Sequence, residues 1–147
     1  MGYSIRIGNA VLEKSGNLGQ REYFSVEHIS LTDVPQAPQF LGDGVASMVN
    51  VRCPTYSVWQ NFTKTVGLHN LFYNKDSGLM THYGCVTLTQ AHAEEITAAL
   101  QRYAASTTRT PGFATSYLDG DFARLIWLEF WVRWALEHCE NPAIDNG

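Results

Sequence analysis

The sequence predicts an α+β fold: an N-terminal three-stranded antiparallel β-meander packed on a three-to-four-helix bundle with a buried C-terminal helix. Two observations predict this fold. Segments within residues 1–31 alternate apolar and polar side chains or are rich in β-branched and aromatic residues, as in half-buried strands. Residues 55–141 repeat their apolar side chains at the period of a helix. Strands followed by helices indicate an α+β rather than an alternating α/β arrangement.

Three segments predict the strands of the meander. Tyr3–Ile7 and Ala10–Lys14 alternate apolar and polar residues, and Gly8-Asn9 between them tolerates positive φ, so we expect a hairpin there. Arg21–Leu31 is rich in strand-forming residues and supplies the third strand. Residues 32–54 contain several prolines and glycines with little periodicity, so they are expected to form one long loop.

The helical part begins at Thr55, which is expected to cap a helix over Tyr56–Val66. A short helical turn at Leu68–Phe72 follows, and Thr89 is expected to cap a helix over Gln90–Ala105. These elements and the meander are expected to form a single domain over residues 1–147, because a chain of this length buries about two-thirds of its unfolded surface.

The stretch Asp121–Cys139 is the most informative part of the chain. It lacks Pro and Gly, carries three of the four tryptophans, and is long enough for about five helical turns. Glu129, Arg133 and Glu137 form one narrow polar stripe, and the remaining circumference is almost entirely apolar. A helix of this kind is buried by several partners at once, and Asn141-Pro142 ends it.

Composition excludes some classes of function. The net charge of −4 argues against a surface that binds duplex nucleic acid. No run of about 18 apolar residues predicts a membrane span, and the N-terminal residues do not form a secretory signal. Three widely spaced cysteines indicate reduced thiols, as in a cytoplasmic protein. The aromatic content is also compatible with homo-oligomerisation.

No established catalytic or metal motif is present. The sequence lacks a P-loop, a strand-linked GxGxxG, a GxSxG elbow and an HExxH helix. His82 with Cys85, and His138 beside Cys139, are the nearest approach to ligand spacing, but structural zinc sites show two tight ligand pairs. We therefore expect no catalytic residues, no metal and no cofactor, and a protein that is not an enzyme.

Recognition of a ligand is the remaining chemistry. Arg124 interrupts the apolar side of the last predicted helix, where a guanidinium held against indole rings can receive an anion or a base. Further side chains that can stack on a base or bind phosphate occur in the long loop, the first helix and a later loop. The candidate ligand-binding residues are Arg124, Trp127, Arg52, Trp59, Lys64, His82 and Tyr83.

A structural alternative stands beside this hypothesis. The stem of Arg124 can pack on tryptophan while its guanidinium pairs with Asp119 or Asp121. On the same interpretation Trp59 belongs to the core, and Arg52 and Lys64 are solvated charges.

Three stretches carry a resemblance to a known class: GYSIRIGNAVLE, GLHNLFYNKDSGLM and LIWLEFWVRWALE followed by NPAI. Together they resemble small accessory proteins of tailed bacteriophages, a class without an established activity. The resemblance implies a protein that acts in the cytoplasm of the bacterial host, on host factors or on nucleotide signals made by host defence systems. It implies no particular functional residue.

These expectations give a first functional hypothesis: a non-enzymatic, phage-type binding protein that captures a host molecule, with a small anionic nucleotide-derived defence signal as the first candidate. The alternatives are direct inhibition of a host protein, and a virion or assembly component.

Overall fold

The computed structural model describes residues 2–14, 22–38, 43, 49–80, 84–107 and 120–146. Within these ranges the fold is α+β, with an antiparallel sheet and four helices, as the sequence predicts in outline. The elements in chain order are β1 (Ile5–Lys14), β2 (Glu22–Val26), β3 (Val51–Arg52), α1 (Tyr56–Thr65), α2 (His69–Tyr73), β4 (Cys85–Thr87), α3 (Gln90–Thr107), α4 (Gly120–His138) and β5 (Pro142–Asn146).

The first strand is longer than the sequence predicts, and the expected hairpin at Gly8-Asn9 is wrong. β1 continues through both residues, because Gly8 pairs with Ala143 and Asn9 with Pro142 on the last strand. A Cβ at Gly8 would lie only 3.3 Å from Val26 Cγ1 and 3.4 Å from Asn50 Nδ2. Glycine therefore serves close packing at this position, not a turn.

The sheet has the strand order β2-β1-β5-β4, and β3 also pairs with β1. All the pairings are antiparallel. The third strand of the predicted meander is shorter than expected and corresponds to β2. Three further strands were not predicted: β3 lies in the expected long loop, β4 in a connection, and β5 after the expected end of the last helix.

Asn50 fills the position between β2 and β3 along one edge of β1. Its backbone carbonyl accepts a hydrogen bond from Ile7 N at 3.1 Å. Its side-chain amide donates to Ile7 O at 3.0 Å and to Glu27 O at 2.8 Å. Its Oδ1 accepts from Ile29 N at 2.8 Å. A single buried side chain thus satisfies backbone groups that neither neighbouring strand reaches.

The first three helices agree closely with the sequence prediction. Thr55 Oγ1 accepts a hydrogen bond from Val58 N at 3.2 Å, which confirms the predicted N-cap of α1. Gly67, with φ 77°, follows the end of α1, where a left-handed residue closes the helix. At the start of α3, Thr89 Oγ1 accepts from His92 N at 3.4 Å.

α4 is the buried helix that the sequence predicts. Trp127 and Trp131 have no exposed surface, and the helix packs against α1, α3, β1 and β5. Its polar stripe faces outward, with Arg133 Nη1 3.4 Å from Glu129 Oε2. The apolar surface of α4 contacts these other elements, so the helix lies at the centre of the main hydrophobic core.

Replacing Asn50 by alanine should destabilise the protein strongly. The substitution removes three side-chain hydrogen bonds from a fully buried position, and each buried group left unsatisfied costs about 1–3 kcal/mol. We expect urea unfolding to show a loss of about 3 kcal/mol or more. The matched control is Asn61→Ala on the exposed side of α1, which should change stability by less than about 0.5 kcal/mol. Equal effects of the two substitutions would contradict the bridging role of Asn50.

Candidate functional site

Three of the predicted ligand-binding residues come together where α4 begins. Arg52 Cζ lies 5.4 Å from the centroid of the Trp127 ring. Trp127 lies one turn after Arg124 on α4, and its Nε1 donates a hydrogen bond to Val49 O at 2.7 Å. The structure therefore places two guanidinium groups near the same indole. Whether this cluster can bind a ligand depends on which groups already bind its guanidinium groups.

Carboxylates already occupy the guanidinium group of Arg124. Its Nε and Nη2 lie 2.9 and 3.0 Å from the two carboxylate oxygens of Asp43. Its Nη1 lies 3.1 Å from Asp121 Oδ1, which confirms the alternative expectation of an ion pair with Asp121. The other candidate, Asp119, lies outside the described residues. A planar guanidinium bound this way has little remaining capacity for an external anion.

Electrostatics agrees with this geometry. Burial alone would lower the pKa of Arg124, but the hydrogen bonds and charges of Asp43 and Asp121 raise it above its usual value. Burial lowers the pKa of Arg52 to about 10, although the charge of Asp43 opposes the shift. Both side chains remain cationic at neutral pH. Two arginines and two aspartates form a group without net charge, and it fixes the start of α4 to residue 43.

The other predicted ligand-binding residues are dispersed. Trp59 is fully buried, packed 4.8 Å from Phe62 and 5.4 Å from Phe72 between ring centroids. Because Trp127 is also fully buried, neither indole presents a face on which a base could stack in this structure. The alternative interpretation, in which Trp59 belongs to the core, is confirmed for this residue. His82 and Tyr83 lie outside the described residues.

Lys64 differs from the rest of the predicted set because its side chain is exposed. It lies in the last turn of α1 and lines a cleft of about 290 Å³ together with Arg102 and Tyr103 of α3. Sequence analysis did not select Arg102, since one arginine on the polar side of a helix carries no signal until the fold places it beside Lys64.

A second feature that the sequence did not reveal is an apolar patch on the outer face of the sheet. Leu12 and Phe24 face each other across β1 and β2 and are 49% and 56% exposed. Beside them is a groove of about 240 Å³ whose lining includes Phe24, Ala10 and Ala143. Side chains alternate between the two faces along the continuous strand β1. Ile5 and Ile7 point into the main core, so Ala10 and Leu12 lie on the opposite face.

A third depression follows the polar stripe of α4. Trp134 and His138 stack there with ring centroids 5.1 Å apart. Glu129, Arg133 and Glu137 also line this space of about 260 Å³. Because an arginine lies among the carboxylates, the depression has no clear charge preference.

Two of the three thiols, those of Cys85 and Cys139, are not activated. Cys85 pairs with Asp145 across β4 and β5. Burial, reinforced by the charge of Asp145 and opposed by Arg6, raises the pKa of Cys85 to about 11. Burial and the charge of Glu27 likewise raise the pKa of Cys139 to about 11. Both thiols stay protonated at neutral pH, which is the opposite of what a nucleophile needs. The described part of the chain also contains no group of three or more metal-ligating side chains.

No protein-family model, curated protein or solved structure matches this chain. Among the described helices, none is both long and apolar enough to cross a lipid bilayer.

Removing the guanidinium of Arg124 should cost much more stability than removing an exposed one on the same helix. The side chains of Arg124 and Asp43 are only 16% and 7% exposed, and breaking a buried pair costs about 3–5 kcal/mol. Since water still reaches Arg124, we expect urea unfolding of Arg124→Ala to show a loss of about 2–4 kcal/mol. The control Arg133→Ala removes an exposed pair worth about 0.2–0.5 kcal/mol. Similar losses in the two variants would contradict a structural role for the cluster.

The cysteines should differ in their rates of alkylation. Cys53 is exposed, whereas Cys85 and Cys139 are partly buried and have a raised pKa. We expect iodoacetamide at pH 8 to modify Cys53 about tenfold faster or more, because the thiolate is the reacting form. Peptide mapping by mass spectrometry measures the rates, and Cys53→Ser should retain only the slow phase. Rapid modification of Cys85 would show that its thiol is more acidic than its surroundings indicate.

Proposed function

We propose that this chain is a non-catalytic binding protein that docks an apolar, basic segment of another protein on the outer face of its sheet. The observation that carries the proposal is the exposed cross-strand pair Leu12 and Phe24. Of the functions expected from the sequence, this corresponds to direct binding of a host protein. A phage origin and a bacterial partner remain predictions from the resemblance.

The shape of the surface supports a segment of polypeptide as its occupant. Phe24 forms one wall of the groove, and the small side chains of Ala10 and Ala143 lie in its lining. A partner that covers Leu12 and Phe24 would gain roughly 1–2 kcal/mol from each newly buried apolar side chain. Exposed aromatic and aliphatic anchors beside a shallow groove are typical of protein-docking surfaces.

Charge indicates the chemistry of the partner. Glu140 lines the groove. Its carboxylate makes no hydrogen bond or ion pair with another described residue. On the same face Arg6 is already paired, with its Nη2 3.1 Å from Asp145 Oδ2. The charged side chain in the described lining of the groove is therefore a carboxylate, which favours a partner with Lys or Arg beside its apolar residues.

The same charge disfavours a second copy of this chain as the occupant. A twofold contact uses the same patch twice, so it would place the Glu140 carboxylates of both copies in one interface. Like charges brought together in an interface cost several kcal/mol.

The geometry supports the first sequence-based hypothesis less well. A nucleotide at Arg124 and Trp127 would have to displace Asp43 and enter a closed core. The apolar patch, in contrast, is accessible without rearrangement.

Loss of Phe24 should weaken capture of the partner strongly. We expect immobilised protein to capture a polypeptide from bacterial lysate, and Phe24→Ser and Leu12→Ser each to weaken its binding about tenfold or more, because central aromatic and aliphatic anchors dominate interface energies. Glu140→Lys should weaken the binding too, and raising the salt concentration should have the same effect. The measurement is a quantitative pull-down with the captured polypeptide identified by mass spectrometry.

The control is Tyr56→Ser. Tyr56 is the other large exposed apolar side chain among the described residues, at 38%, and it contacts Tyr3 away from the patch. This variant should capture the same polypeptide as the wild type. Capture that survives Phe24→Ser, or a dimer in size-exclusion chromatography that Phe24→Ser dissociates, would overturn the proposal.

A further inference from the structure

We propose that the cleft between the end of α1 and α3 binds the phosphoryl group of a small phosphomonoester, through Lys64 and Arg102. This site is separate from the outer sheet face and does not depend on the function proposed for that face. The ligand proposed for the cleft is an anion, whereas the segment proposed for the sheet face is basic.

The first argument is the composition of the cleft. Among the described residues, Lys64 and Arg102 line it together with the hydroxyl groups of Thr65 and Tyr103, and no carboxylate lines it. Ser106 also lines it, but its Oγ already donates to Tyr103 O at 2.9 Å. The chain as a whole has 14 acidic and 10 basic residues, so a depression whose described lining has two cations and no acid differs from the average composition. Lysine, arginine and hydroxyl side chains can donate the hydrogen bonds that a phosphoryl group requires.

The second argument concerns partners. Neither Lys64 nor Arg102 makes a hydrogen bond or ion pair with any described residue. In the same structure Arg6, Arg124 and Arg133 each pair with a carboxylate. The cleft therefore concentrates cationic charge that the described parts of the protein do not neutralise.

The structural alternative is that these cations stabilise the end of α1. Helix C-termini carry partial negative charge and attract Lys and Arg. Three carbonyls of the last turn of α1 already have partners, however: Phe62 O, Thr63 O and Lys64 O accept from Val66 N, Leu68 N and Gly67 N at 3.0, 2.8 and 3.3 Å. These three carbonyls do not need the two cations as donors.

The third argument is the shape of the cleft beside Gly67. Arg102 Nη2 lies 3.5 Å from where a Cβ of Gly67 would be, which is an ordinary van der Waals distance. The exposed guanidinium of Arg102 therefore lies beside the end of α1. The volume of about 290 Å³ is at the lower limit for ligand pockets, which suits a phosphoryl group with a small attached moiety. Tyr103 provides an aromatic wall, with its ring centroid 5.5 Å from that of Phe122.

The test is a titration of the full chain, followed by NMR and by calorimetry, with inorganic phosphate, adenosine 5′-monophosphate and adenosine. We expect both phosphates to bind and to shift signals of residues 64–67 and 102–106, and adenosine not to bind. The ratio of the two phosphate affinities then distinguishes free phosphate from a nucleoside phosphate as the natural source. Lys64→Gln and Arg102→Gln should each raise the Kd about tenfold, as expected for loss of one charge-assisted contact.

The control is Lys75→Gln, which removes an exposed lysine elsewhere on the surface and should leave the Kd unchanged. Thermal unfolding of every variant checks that the fold is retained. The proposal is overturned if neither phosphate binds at 10 mM, on the order of the weakest useful affinity, or if binding survives Lys64→Gln together with Arg102→Gln. It is also overturned if these variants lower the melting temperature without changing phosphate binding, since the cations would then serve the helix end.

Discussion

The four residues 49–52 connect the sheet to the central helix, and the fold depends on this connection. Val49 O accepts the indole hydrogen bond of Trp127 at 2.7 Å, and Arg52 lies over the same ring. On the other side, Asn50 holds β1 through Ile7. A short segment inside a loop therefore satisfies buried polar groups of both layers at once. This hydrogen bond satisfies the indole N–H of Trp127, whereas among the described residues the buried indole N–H groups of Trp59 and Trp131 have no partner, so the segment removes a cost of about 1–3 kcal/mol at Trp127.

The charged cluster around Asp43 extends this connection by one step. Arg124 reaches from the first turn of α4 to both oxygens of Asp43, and Cys53 N donates to Asp43 O at 2.9 Å. Residue 43 is thus joined to α4 through its side chain and to the end of β3 through its backbone. The cationic side chain that looked most like a ligand-binding group from the sequence holds two distant parts of the chain together. An Arg on the apolar face of a helix indicates that its side chain is at least partly buried. Whether it stabilises the fold or binds a ligand depends on whether carboxylates of the protein already bind it.

The sequence predicted the helices well and the sheet poorly, for a physical reason. Helix caps such as Thr55, and the apolar period of α4, arise from residues within a few positions of one another. Strand pairing is not local: Gly8-Asn9 has the composition of a turn, yet β5 pairs with it from the other end of the chain. Pro142 likewise predicts the end of a helix, and it also begins a strand, where its missing N–H is tolerated. The same contrast holds for the cleft. The sequence analysis selected Lys64, whereas Arg102 could be selected only once the fold showed that both side chains line one cleft.

Segregation of charge links the two proposed surfaces. Arg6, Arg52 and Arg124 lie beside carboxylates within the fold, so they contribute little to the external field. What remains outside is the carboxylate of Glu140 beside exposed Phe24, and a cationic cleft at Lys64. Fields of opposite sign select ligands of opposite sign: the groove at Glu140 repels phosphates, and the cleft repels a basic polypeptide. Because added salt screens both fields whereas phosphate competes only at the cleft, the two surfaces can be distinguished in solution without any substitution.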